Sequence, residues 1–290
     1  MKLDYISARG DRLPLATNNL FALWHVDGMT AAGTSIASNA GSADGEEVNN
    51  VRANARPIVI DLRVREGVEV EEAKRAILRV VKLKQTGTLE WTHKDGRTIT
   101  LSGVVEAVDM PRWSESVTMQ ITMFCGQPYW EDADFVLQQI SEAIDLHYFE
   151  DSATGMLHFV EDGIPFGEYD TIRTKSFHNS GDVEVGLEIS IVAFATVTNP
   201  IIYDGNGNFF GVGYGDGAKR VQMQAGDVIV ITTHKGKKNV TLNGKRILQK
   251  LRPQSTWLQL AAGDNTFTIN SDDDSLSNMT FALVYKQRYV

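Results

Sequence analysis

The sequence predicts a mainly β chain of two domains, with one α-helix in the first. Three observations carry this reading. Apolar and polar residues alternate over short runs in both halves, the period of two that a half-buried strand requires. A single segment, Val70 to Lys84, places its apolar residues at helical spacing instead. From Ser176 onward, short apolar runs are separated by Gly- and Asn-rich turns, the pattern of an antiparallel sandwich. At 290 residues the chain can bury two separate cores.

The opening residues are polar, and Leu20 to Val26 (LFALWHV) reads as an early core strand ended by Asp27-Gly28. Residues 29–56 are rich in Ala, Gly, Ser and Asn, with almost no large apolar residue. Such a stretch cannot bury enough surface to offset its ordering entropy. Long loops inside compact domains are usually functional or disordered. Two readings fit: a segment that orders only against a neighbouring subunit, and a mobile one. Pro57 opens the strand Ile58 to Arg65, with Ile58, Ile60, Leu62 and Val64 on one face. In the helix Val70 to Lys84, Ala73, Ile77, Val80 and Val81 face one way. Glu71 and Glu72 at its start and Lys82 and Lys84 at its end complement the helix dipole. The helix is short and its polar face mixed in sign, which argues against a membrane-surface role. Thr88 to His93 and Arg97 to Val105 flank the turn Lys94-Asp95-Gly96 and form a hairpin. After a turn near Met110-Pro111, Val117 to Phe124 alternates once more and closes the domain.

Gly126 and Pro128 stop that strand, since proline lacks the N–H a ladder needs. We place the boundary there: residues 1–128 form one domain, 129–290 the other, and Pro128, Tyr129, Trp130 and Glu131 form the hinge. Phe135 to Leu146 fits a short helix or a connecting strand, and Gly155, Gly163, Pro165 and Gly167 punctuate the short apolar pieces beyond it. Val183 to Val197 is one or two long strands ended by Asn199-Pro200. Ile201 to Tyr203, Val221 to Gln224, Val228 to His234, Asn239 to Leu242, Trp257 to Leu260, Thr266 to Asn270 and Met279 to Tyr285 complete the set. Asn243-Gly244 is the strongest hairpin signal in the chain.

The chemistry is sparse. A formal net charge of −9 argues against a nucleic-acid partner, because phosphate neutralisation dominates such affinity. The one cysteine, Cys125, excludes an intrachain disulfide, and its apolar flanks predict a buried, inert thiol. No apolar leader opens the chain and no run approaches a membrane span, so we expect a protein made in a reducing cytoplasm, without a membrane anchor. The six histidines are scattered, no Ser occupies a nucleophile elbow, and Gly211-Val212-Gly213-Tyr214-Gly215 lacks the Lys and βαβ setting of a phosphate loop. Asp272-Asp273-Asp274 lacks the alternating spacing that wraps calcium. Adjacent Glu131 and Asp132 point apart on an extended chain. We expect no catalytic group, no metal and no cofactor. Trp257 reads as a core residue beside Leu258 and Leu260, with sugar stacking the alternative.

The second half carries an ordered series: Asn179-x-Gly181, the strand Leu187 to Val192, Asn199-Pro200, Gly226-Asp227-Val228-Ile229-Val230-Ile231, Val240-x-x-Asn243-Gly244, Ser255-x-Trp257-x-x-Leu260, and Gly263-x-Asn265. This series resembles the carboxy-terminal domain of siphophage distal tail (Dit) proteins, and Pro128-Tyr129-Trp130 resembles the junction between their domains. The resemblance implies a tail-tube-like β domain with one helix, followed by a galectin-like antiparallel β-sandwich. It further implies a structural component of the virion tail tip or baseplate, assembled in the bacterial host cytoplasm. Such a protein forms a homo-oligomeric ring, a hexamer, that joins the tail tube protein to the tail-associated hub protein and to receptor-binding or fibre proteins. The 29–56 segment would then lie at subunit contacts. The galectin sugar-binding signatures are absent, since Trp257 is followed by Leu258-Gln259-Leu260. A carbohydrate-binding module that adheres to a host surface is the alternative function.

Overall fold

The computed structural model describes residues 2–30, 33–40, 44–110, 118–139, 143–144, 168–169, 174–274 and 278–290. The chain divides into two compact units: Met1–Asp134 together with Arg288–Val290, and Phe135–Gln287. The turn expected at Met110-Pro111 and the Gly and Pro punctuation between 155 and 167 lie at least partly outside the described residues.

The first unit is built on one antiparallel sheet. Its strands are β1 (Lys2–Ser7), β2 (Arg12–Pro14), β3 (Phe21–Asp27), β6 (Arg56–Val64), β7 (Thr86–Thr92), β8 (Thr98–Asp109), β9 (Thr118–Cys125) and β10 (Trp130–Asp132). Between β3 and β6, β4 (Thr34–Ala40) and β5 (Glu46–Ala53) pair only with each other. The sheet order is β2-β1-β7-β8-β9-β6-β3. β10 lies beside the first half of β8, and the final strand of the chain, β27 (Arg288–Tyr289), lies beside β10. Alternation puts Ile58, Ile60, Leu62, Met119, Ile121 and Met123 on the covered face, each fully buried. β1 and β2 lie where the sequence offers only a polar start; the strand is amphipathic but short, and buried Asp4 is held by Arg12 at 2.5 Å and Lys2 at 2.9 Å. Tyr5 lies flat on Gly87 of the neighbouring strand, where a Cβ would come within 2.3 Å of the phenol oxygen.

The helix α1 runs from Val70 to Val80, shorter than the predicted Val70 to Lys84, with Ala73 and Ile77 buried beneath it. Val81 still donates to the Ile77 carbonyl at 2.8 Å, but its own backbone is extended (φ −86°, ψ 116°). Burial of Val81 and the left-handed Lys84 (φ 61°), whose N–H bonds the Val105 carbonyl at 3.1 Å, turn the chain back onto the sheet. Tertiary pairing thus overrides the local helical pattern from Val81 to Lys84.

The second unit packs a six-stranded sheet against a four-stranded one. The order of the six-stranded sheet is β11 (Val136–Gln139), β26 (Met279–Tyr285), β16 (Glu188–Ala193), β21 (Val228–Thr232), β22 (Asn239–Leu242) and β23 (Lys245–Arg246). In the four-stranded sheet the order is β14 (Thr174–Asn179), β25 (Gly263–Asn270), β18 (Ile201–Asp204) and β19 (Phe209–Gly211). Ile189, Ile231, Phe281 and Leu283 from one sheet meet Phe177, Ile202, Phe210 and Phe267 from the other in a single core. Among the described residues three short ladders accompany these sheets: β12 (Ala143–Ile144) with β13 (Glu168–Tyr169), β15 (Val185–Gly186) with β24 (Gln259–Leu260), and β17 (Val197–Thr198) with β20 (Gln222–Met223). The start of the ambiguous segment Phe135 to Leu146 is therefore strand, because Val136 pairs opposite Tyr285 and packs on the core.

Candidate functional site

Among the described residues no three His, Cys, Asp or Glu side chains are placed to hold a metal ion. No described helix is long and apolar enough to cross a membrane. What the motifs of the second half build is joints. Asn179 is buried; its amide donates to the Val183 and Leu260 carbonyls and its oxygen accepts the Gly181 N–H at 3.0 Å. Asn199, left-handed at φ 51° as asparagine tolerates, accepts the Val221 N–H at 2.9 Å and donates to Asp272 at 2.8 Å. A Cβ on Gly213 (φ 87°) would come within 2.3 Å of the Asn199 oxygen, which accounts for a glycine there. Asp272 also receives Arg252 at 2.8 Å, so this acidic turn is a tie between strands. Asn243 (φ 48°) and Gly244 (φ 78°) have the left-handed pair of a tight hairpin, and Asn243 bonds both Val228 and Asp227. The Gln224 N–H and then the Asn243 amide hold the Asp227 carboxyl below its ordinary pKa.

The expected hinge residues have a different setting. Pro128, Tyr129, Trp130 and Glu131 belong to the first unit, and the chain passes to the second at Asp134–Phe135 and back at Gln287–Arg288. Trp130 is 1% exposed, packed in the amino-terminal core with its ring edge-on to Trp91 at 5.7 Å. Glu131 accepts Arg288 at 2.7 Å, and Asp132 accepts Arg97 at 3.2 Å and the Tyr289 hydroxyl at 3.1 Å. Arg97 stacks over the Tyr289 ring at 3.7 Å. The domain boundary therefore falls at Asp134–Phe135, later than proline punctuation alone suggests. The physical reason is that a buried indole and a returning strand draw 130–132 into the sheet. No local signal announces the second cause, since residues 288 and 289 are remote in sequence.

Residues 29–56 contain ordered structure. Within this stretch β4 and β5 form a hairpin whose register shifts between Ala37 and Ser38, opposite Asn50 and Val48. Asn49 is the extra residue of a bulge, and a bulge re-aims the side chains beyond it. Ile36 lies opposite Val51 and Ser38 opposite Val48, so alternation along β4 places Ile36, Val48 and Val51 on one face. All three are exposed, at 62%, 57% and 57%. Ser35, Asn50 and Arg52 lie on the other face. The result is an amphipathic arm whose apolar side nothing in its own described domain covers.

The arm is fixed at its root. The Met29 carbonyl accepts both the Trp130 indole N–H at 3.0 Å and the Arg56 guanidinium at 3.1 Å. Arg56 is 2% exposed, and its Nε and second Nη have no partner among the described residues. Burial lowers its pKa. Across the ladder from Arg56 lies Cys125, whose thiol burial pushes up to about 11, with Arg56 opposing the shift. Sequence reasoning missed this cluster, because Arg56 reads as the solvated residue before a proline.

Trp257 is half-buried against the sandwich core, tilted onto Phe210 at 4.9 Å, with Lys238 at 5.5 Å from its centroid. It borders an open groove of about 580 Å³ shared with Glu184, Asp204, Asn206, Gln259 and Asn265. Asp204 and Asn265 spend their side chains on local turns.

Residues 180–289 match the family model described as siphovirus-type tail component, C-terminal domain. Among solved structures, the chain is similar to the crystal structure of the Dit protein of phage SPP1, described as a paradigm of the hub adsorption apparatus in phages that infect Gram-positive bacteria. That likeness covers 99% of both chains at 14% identity with a TM-score of 0.67, and it establishes the fold. A chain of the phage P2 baseplate, in its activated conformation with calcium, aligns over 98% of this chain and 97% of its own at 10% identity and a TM-score of 0.45. No curated protein matches the chain in sequence.

Proposed function

We propose that this chain, a siphophage tail component by its carboxy-terminal domain and Dit-like in fold over its full length, is the ring-forming subunit of a tail tip. In this reading six copies close a ring through their amino-terminal domains. The ring joins the tail tube protein to the tail-associated hub protein, and the galectin-like domains carry receptor-binding or fibre proteins. The subunit is assembled in the host cytoplasm and works on the virion, and it has a structural role with no reaction of its own.

The observation that carries the proposal is the arm. A two-stranded hairpin is at best marginally stable in water by itself. Covering Ile36, Val48 and Val51 would supply roughly 1.5–3 kcal/mol for each side chain. A surface of this kind belongs in an interface. Electron microscopy and native mass measurement of the purified protein are expected to show closed sixfold rings. Deleting residues 33–54 is expected to abolish the rings while the thermal midpoint of the subunit changes little. A wild-type protein that stays monomeric at high concentration overturns the proposal.

The groove beside Trp257 supports a weaker, second reading, a glycan-binding module. Binding of a cell-surface polysaccharide that is lost in Trp257→Ala would favour it; Lys238 and Phe210 against the ring argue the other way.

A further inference from the structure

The arm has a chemically matched receiver on the same domain. Helix α1 buries Ala73 and Ile77, and its opposite face carries Arg75, Leu78 and Arg79 at the i, i+3, i+4 spacing of neighbours. Just past its end, Lys82, Leu83 and Lys84 extend this surface, with all six residues exposed. Leu78 and Leu83 are 46% and 55% exposed, unusual for leucine beside so many cations. Arg75, Arg79 and Lys84 have no carboxylate partner among the described residues, and Lys82 does no more than bond the Leu78 carbonyl at the helix end. The surface is therefore two leucines set among four cations, none of them paired with a described carboxylate.

The arm is its complement. Its apolar face ends at Glu46, which stands opposite Ala40, and the neighbouring Asp44 and Glu47 make the tip acidic. Glu46 meets Ser38, and no basic side chain pairs with Asp44, Glu46 or Glu47 among the described residues. Among the described residues this domain also exposes Pro57, Phe124 and Val104 across β6, β9 and β8, and the single Trp24 of β3 beneath Arg63. The ladder neighbours of the Pro57 row, Thr86, opposite Val104, and Thr122, two residues before Phe124, are uncharged.

We infer that the apolar, acid-tipped face of the arm docks on the Arg75–Lys84 end of α1 in a second copy of this chain. The inference rests on the ring reading and deepens it by naming both halves of the contact. Because arm and helix are different patches, the contact is heterologous, head to tail, and repeats until the rotation closes. Charge complementarity sets its register and excludes wrong partners, while the leucines, valines and Ile36 supply the buried area.

A charge swap tests it. Glu46→Lys with Glu47→Lys makes an arm variant, and Arg75→Glu with Arg79→Glu a helix variant. Each alone is expected to raise the concentration for half-assembly at least about tenfold, since like charges meet in every contact. Mixed one to one, the two variants are expected to regain rings, because each altered arm then meets an oppositely altered helix. An alternating ring closes only with an even number of copies, as a hexamer has. Rescue also demonstrates that both variants are folded. If either variant alone assembles as wild type, or the mixture stays apart, the inference fails while the ring stands. If the helix variant keeps its rings and instead loses sedimentation with anionic lipid vesicles, the cations serve a lipid surface and the inference is overturned. Wild-type protein that never assembles would instead remove the ring reading itself.

Discussion

At the scale of single residues, the informative ones are buried and polar. Met29 offers one carbonyl to two donors, Trp130 and Arg56, which ties the arm root to the core. Trp130→Ala would leave a large cavity and remove one of those bonds. It is expected to cost about 3–5 kcal/mol, read as a lower thermal midpoint of the amino-terminal unit in calorimetry. A variant of unchanged stability would contradict the buried placement. Cys125 gives a sign-definite pH dependence. Its thiol rises from an ordinary 9.0 to about 11, so the unfolded chain releases the proton first. The stability this contributes is full below pH 9 and is lost as pH rises toward 11. In the folded protein Cys125 should therefore resist a thiol reagent at about pH 8, below the ordinary thiol range, and react at the unfolding rate; rapid native labelling would count against it. Glu131 and Asp132, adjacent carboxylates in the sequence, are each committed to a cation or hydroxyl of their own domain.

At the scale of elements, strands with strict alternation are legible because burial on one face leaves only one register that works. β22 and β26 begin and end where their alternating residues do, and β9 runs into Cys125 before Gly126 and Pro128 stop it. The arm is not legible as β structure. Its composition of Ala, Ser, Asn and Gly lacks the payload of a self-sufficient hairpin, and its apolar face takes shape only through the bulge at Asn49. That bulge gives an element-scale prediction. Inserting one residue between Ala37 and Ser38 gives Asn49 a partner, restores plain alternation and turns Val48 away from Ile36 and Val51. Ring assembly should weaken markedly in native mass measurement, with secondary structure by circular dichroism preserved. Rings of unchanged strength would show that the shared face is immaterial. The end of α1 belongs to the same scale: the helical pattern continues through Lys84, and strand pairing at Val105 decides otherwise.

At the scale of the whole molecule, the two units fold around separate cores and are linked by two chain crossings. Closing the second crossing, Arg288 and Tyr289 return the carboxy terminus to the amino-terminal sheet, where Arg288 meets Glu131 and Tyr289 meets Asp132. Truncation before Arg288 is therefore expected to lower the midpoint of the amino-terminal unit, although the residues removed follow the second domain. Calorimetry resolving both transitions checks this, and a shift confined to the second unit would refute it.

By itself the sequence determined the strand-rich class, the single helix, the hairpin at Asn243-Gly244 and the tail-component character of the second half. These are legible because each rests on local rules: alternation, helical spacing, left-handed asparagine and glycine, and side chains that bond backbone within a few residues. Tertiary structure alone decided the domain boundary, the burial of Arg56 beside Cys125, and the common face of Ile36, Val48 and Val51. Each depends on partners far away in the chain, Trp130 with Met29 and Glu131 with Arg288 among them, or on a bulge whose effect exists only once two strands pair. Local composition has no means of encoding which distant residue will arrive; packing does.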